Sequence, residues 1–309
     1  MRKRLIPLWG WWAVGGLCVA VPAALAGTDP LAGEAKAGHE RPAIRVAPAN
    51  WGSADPRDVQ ALLDAVAAEF HRHAAPPGAP LPAIRVMPRG GAPRVLYERG
   101  PGGEYVVHLS ARNENWFQYA YQFAHELCHI YSHFDRKAHE GDEPASANQW
   151  FEEALCETAA LFTLERLAAR WGELPPTARW AGYAPVLAGY AAFLQGQAHR
   201  RLAPAQPLAG WYREHAAALR DNPYLRDKNE VVANALLPLF AENPASWRAI
   251  AYLNPDAASA AKDFADFLGD WYAACPDEQR ETVRRTMALF GFAPPAAPQR
   301  LSRAPATTE

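Results

Sequence analysis

Two histidines stand four residues apart in the run His125-Glu126-Leu127-Cys128-His129, with a glutamate directly after the first. On a helix this spacing puts both imidazoles on one face, one turn apart, where they can share a single metal ion. Glu126 projects beside that face, where the ion's water would lie. Two neutral ring nitrogens and an adjacent carboxylate suit Zn²⁺ and the deprotonation of its water. The run Trp116–Ala124 contains no Pro or Gly, and Asn115 precedes it as a candidate N-cap, so the motif falls inside an expected helix.

Catalysis by such an ion needs a third protein ligand and an open fourth position. A second helix-like run begins Trp150-Phe151-Glu152-Glu153-Ala154-Leu155-Cys156-Glu157. Glu153 is the expected third ligand. Glu157, one turn later on the same face, is expected to accept an N–H from a ligating imidazole, which fixes the ring and makes it a better ligand.

The His-Glu-x-x-His run and the downstream Glu-Glu-x-x-x-Glu helix resemble the gluzincin metallopeptidases, over residues 104–165. That resemblance implies His125, His129 and Glu153 as zinc ligands, Glu126 as general base, and Glu157 as the carboxylate that orients His125. Glu152 departs from the pattern, standing where many gluzincins carry Asn. The metzincin pattern would instead make Asp135 the third ligand. However, Ser132 occupies the position of that family's Gly, whose permissive backbone turns the chain out of the helix. Only Met1, Met87 and Met287 could supply its methionine turn. Glu153 is therefore preferred, with Asp135 as rival. His133 reads as a helix-end histidine interacting with the dipole, and His139 as a loop residue.

These residues need a scaffold. The expected fold is α+β and zincin-like. A small antiparallel sheet and the metal-site helices occupy 49–172, and a mostly helical region occupies 173–292. Asp55-Pro56 is an N-cap followed by an N1 proline, and Val59, Leu62, Leu63, Val66 and Phe70 form the stripe of a helix running to about His73. Strand-like runs follow at 83–87, 94–98 and 104–109, separated by glycine-rich turns. The last is expected to be an edge strand beside the cleft, binding an extended peptide by strand addition, with Val107 and His108 as substrate-binding residues. Residues 135–148 read as a loop. Helices are expected at 185–202, 207–220, 228–242, 257–274 and 277–290.

The expected activity is zinc-assisted hydrolysis of a peptide bond, with Glu126 shuttling the proton. The oxyanion donor is expected from the polar segment 221–227. Tyr224 is preferred, with Arg226, His199 and His215 as alternatives. The alternative readings are a zinc amide hydrolase acting on cell-wall material, and a non-catalytic zinc-stabilised binding protein. Cys128 and Cys156 each lie one turn from a candidate ligand. They form either a disulfide clasping the site or two small buried thiols. Cys275 is left unpaired.

Arg2-Lys3-Arg4, the apolar stretch from Leu5 to Val21, and Ala24-Leu25-Ala26 read as a signal peptide over 1–26. The expectation is therefore a periplasmic or secreted bacterial protein with no stable membrane insertion after cleavage. Residues 27–48 read as a flexible leader and 293–309 as a disordered tail. A net charge of −2 without a basic run argues against nucleic acid. The expected partner is a peptide or protein substrate, and the oligomeric state is left open.

Overall fold

Asp55 starts the first helix as its sequence demands: its carboxylate accepts the Arg57 N–H at 2.8 Å, and Pro56 takes the first helical position. A computed structural model describes this helix and the rest of residues 44–75, 83–137, 139–140, 143–144 and 147–294. Helix α1 spans Pro56–Ala74 and buries Val59, Leu62, Leu63, Val66 and Phe70.

Four strands form one sheet: β1 (Ile44–Val46), β2 (Ile84–Pro88), β3 (Arg94–Val95) and β4 (Tyr105–Leu109), in the order β1-β2-β4-β3. β2 runs parallel to both β1 and β4, and only β3 is antiparallel. The sheet is thus mixed, not antiparallel as expected. Parallel neighbours need a crossover, and α1 supplies it between β1 and β2. Residues 44–46, read as part of a leader, are the strand that makes this crossover possible.

The expected edge strand is also corrected. β4 is paired on both sides. Val107 lies opposite Val86 and Val95, and His108 opposite Met87 and Arg94. Val107 is fully buried. Neither residue can therefore accept an added strand. The edge on that side is the two-residue β3, which folds back against β4.

Ile84, Val86, Tyr105, Val107 and Leu109 give the sheet a buried face. Helices α2 (Trp116–Tyr131) and α3 (Gln149–Glu173) pack against each other, and α2 also packs on α1 and β4. Asn115 does not cap α2. Its amide donates to the Arg112 carbonyl instead, at 3.0 Å. The helix ends without glycine, because His133 itself takes the left-handed conformation at φ 55°. A short 3-10 turn over Phe134–Arg136 follows. Then β5 (His139–Glu140) and β6 (Glu143–Pro144) pair as a small antiparallel ladder, so His139 lies in a strand and not in a loop.

The remainder is helical: α4 (Ala184–Gly196), α5 (Leu208–Asp221), α6 (Arg226–Glu242), α7 (Phe264–Ala274) and α8 (Asp277–Leu289). Two expected helices are shorter than read. Extended backbone at Gln197 ends α4, and extended backbone at Lys262 and Asp263 delays the start of α7. A 3-10 segment, Pro244–Tyr252, carries Trp247 into the core, where it stacks on Phe240 with ring centroids 4.2 Å apart. α3 packs on α4 and α6, which ties the helical half to the centre. The architecture is α+β, a small sheet followed by a mostly helical remainder. No helix among the described residues is long and apolar enough to cross a membrane. The expected signal peptide, and the tail from residue 295 on, lie outside the described residues.

Candidate metal centre

α2 and α3 bring the two motifs face to face. The His125 and His129 rings lie 5.1 Å apart between centroids. His125 Nε2 is 3.3 Å from Glu153 Oε2, and His129 Nε2 is 3.6 Å from Glu153 Oε1. One carboxylate thus faces the same nitrogen of both rings. The other nitrogens meet separate carboxylates: His125 Nδ1 lies 3.8 Å from Glu157 Oε2, and His129 Nδ1 lies 2.7 Å from Glu152 Oε1.

Cys156 lies beneath the same rings. One nitrogen of His125, one of His129 and the Cys156 sulfur all lie within 4.8 Å of one another, close enough to bind a metal ion. Cys128 and Cys156 are both buried and unbonded, so the disulfide alternative is not formed. Burial and the neighbouring Cys128 thiol push the Cys156 thiol well above its usual range. Cys275, also buried, is likewise free.

Burial by itself would push the histidines down and the carboxylates up. Their mutual contacts outweigh it. Glu153 and Glu157 hold His125 up at about 9. Glu153 and Glu152 hold His129 well above the usual imidazole range. His129 and His125 keep Glu153 well below the usual carboxylate range. Glu126, also buried, is the exception. Burial raises its carboxyl, and the two histidines and a nearby Val95 N–H only partly offset that. A buried carboxyl raised in this way is suited to general-base work.

Several anchoring residues were not legible in the sequence. Glu157 accepts a hydrogen bond from the Tyr121 hydroxyl and lies 2.8 Å from Arg200 Nη1. Arg226 donates to the Tyr121 oxygen at 3.0 Å. Glu230 gathers Arg200, Arg226 and His199, at 2.7, 2.6 and 2.5 Å. Arg226 and Glu230 are one turn apart on α6, but Arg200 and His199 come from the turn after α4, and no local spacing links any of these residues to Glu157 or Tyr121.

The remaining candidates are placed as follows. Asp135 is engaged by Arg99 at 2.5 Å and by the Tyr105 hydroxyl at 3.4 Å, and it is not a member of the cluster. His215 packs edge-on against Trp211. Tyr224 is 57% exposed in the turn before α6, with its backbone N–H on Asn222 Oδ1. From this turn, Arg226 joins the network behind His125.

The centre is open on one side. His125 and Glu153 keep 19% and 17% of their side-chain surface, against 8% and 2% for His129 and Glu152. A surface groove of about 710 Å³ lies elsewhere, between α3 and α4, where Ala168, Trp171, Ala188 and Gln195 help line it. Protein-family models and curated proteins offer no match to the chain.

Proposed function

We propose that the protein is a zinc-dependent hydrolase of peptide bonds, of gluzincin-like site design. His125, His129 and Glu153 would hold the ion. The observation that carries this reading is the sharing of Glu153 between the Nε2 atoms of both rings, while His129 Nδ1 hydrogen-bonds Glu152 and His125 Nδ1 faces Glu157 at 3.8 Å. Ligating histidines usually donate their second N–H in this manner. Cys156 is the weaker third ligand, since its thiol must lose a proton that burial retains, whereas Glu153 is already charged. Three protein ligands and an open side suit a catalytic site better than a structural one.

When bound, zinc supplies Lewis-acid polarisation of the scissile carbonyl and acidifies the attacking water. Glu126 takes the water's proton as its oxygen bonds to the carbonyl carbon. It then delivers that proton to the nitrogen as the C–N bond breaks. An extended substrate would lie along the outer side of β3, whose Val95 N–H is close to Glu126. The proposed oxyanion donor is Tyr224, in the exposed turn before α6 from which Arg226 reaches the Tyr121 oxygen.

The test is zinc stoichiometry on the purified protein beside Glu153→Ala and Asp135→Ala, followed by a peptide screen on the zinc-loaded form. One zinc per chain, lost with Glu153→Ala and kept with Asp135→Ala, is expected. Absence of zinc from the wild type after reconstitution would remove the reading.

A further inference from the structure

Glu152 and Glu153 are neighbours on α3, and consecutive helical residues point about 100° apart. Glu153 therefore faces the Nε2 atoms while Glu152 reaches the far side of His129. Around Glu152 the chain builds a buried polar ring. Its Oε1 lies 2.7 Å from His129 Nδ1, and its Oε2 lies 2.9 Å from Lys137 Nζ. Asn254 donates to the same Oε2 at 2.9 Å, and also to the Ser132 carbonyl. Lys137 donates to Gln149 Oε1, and Gln149 Nε2 donates to Glu153 Oε1 at 2.8 Å. The ring thus closes from His129 through Glu152, Lys137 and Gln149 to Glu153, and back to His129.

Its ion pair is almost wholly out of water: the Lys137 and Glu152 side chains keep 1% and 2% of their surface. A buried ion pair is weak evidence of stability, because desolvation offsets its attraction. Its placement asks for another explanation. A carboxylate only accepts hydrogen bonds, whereas an amide both donates and accepts. An amide beside Nδ1 leaves the ring's tautomer open. A carboxylate requires Nδ1–H, which leaves the Nε2 lone pair facing Glu153. The carboxylate also adds a negative charge to a crowded acidic site, and Lys137 cancels it.

We propose that Glu152 and Lys137 act as a positioning pair for His129. The carboxylate selects the Nδ1–H form of the ring, and the ammonium is the built-in counter-charge that makes a carboxylate tolerable there. This rests on the metal-site reading above.

The test is zinc affinity, measured by competition with a chromogenic chelator, together with melting temperature. Two double variants remove the charges as a pair, which spares the fold a lone buried ion. Glu152→Gln with Lys137→Met keeps an acceptor for Nδ1–H. Glu152→Leu with Lys137→Met does not. The Gln variant should bind zinc within a few-fold of wild type, and the Leu variant should lose about 10–100-fold. Equal zinc affinity of the Leu variant and wild type would overturn the proposal, as would equal losses in both variants.

A second readout needs no variant. In the zinc-loaded protein carrying ¹⁵N-labelled histidine, His129 should hold its proton on Nδ1; a proton on Nε2 overturns the proposal. A wild type that takes up no zinc sinks the metal-site reading and this pair with it. Zinc uptake with no difference among the variants sinks the pair alone.

Discussion

Arg200 Nη1 lies 2.8 Å from Glu157 Oε1, so a guanidinium from beyond α4 backs the carboxylate that faces His125. The same arginine bonds Glu230 on α6 through Nη2 at 2.7 Å, and only 1% of its side chain is exposed. One buried cation thus holds two buried carboxylates from different helices. Removing it takes from Glu157 its nearest guanidinium, while Glu230 keeps Arg226 and His199. Arg200→Met should cost about 3–5 kcal/mol, the range for breaking a buried pair by deleting one partner. Denaturant unfolding of the zinc-free protein would read this. A loss under 1 kcal/mol, small for a buried pair, would show that the network is not structural.

Glu126→Gln should abolish hydrolysis while leaving zinc content and melting temperature close to wild type. Glutamine fills the same volume and cannot carry the proton. Retained turnover on any cleaved peptide would remove Glu126 as the base.

Cys156→Ala should keep one zinc per chain, because the proposed ligand set does not need the sulfur. It should cost stability only modestly, since a small buried thiol is lost beside Cys128. Zinc lost by Cys156→Ala and kept by Glu153→Ala would exchange the two roles.

The zinc-free centre holds protons that an ion must displace. His125 is raised to about 9, above its ordinary 6.5. Its contribution to stability is therefore complete below about pH 6.5 and is lost as pH rises through about 9. Glu153 is depressed, so its contribution is present above its ordinary 4.5 and is lost as pH falls through its lowered value. Melting in chelator should fall as pH rises from about 6.5 to 9. Zinc affinity should rise over the same window, with proton release visible by calorimetry in buffers of different ionisation enthalpy. Affinity that is flat with pH would contradict the proton-holding centre.

Tyr224→Phe should lower turnover and leave zinc content and melting unchanged. The side chain is 57% exposed, and exposed substitutions rarely move stability by more than about 0.5 kcal/mol. Unchanged turnover would remove the phenol as oxyanion donor.

The sequence by itself determined the local parts of this protein. Spacing within one helix is decided by helical geometry, so His125, Glu126 and His129 on α2, and Glu153 and Glu157 on α3, were legible as two faces before any fold was known. The stripe and N-cap of α1 were legible for the same reason. What lay between elements was not. Strand direction depends on what crosses between strands, so the parallel pairing through α1 and the inner place of β4 were decided only in three dimensions. That placement removed Val107 and His108 from the substrate edge and gave the edge to β3. The partners of the centre's carboxylates were equally hidden. Lys137, Asn254 and Arg200 lie on other elements than the carboxylates they meet, and only the packing of the segments after α2, after α4 and after the 3-10 segment Pro244–Tyr252 around α2 and α3 brings these donors to buried Glu152 and Glu157. A buried carboxylate must find a cation or donors somewhere, but the chain alone does not say where.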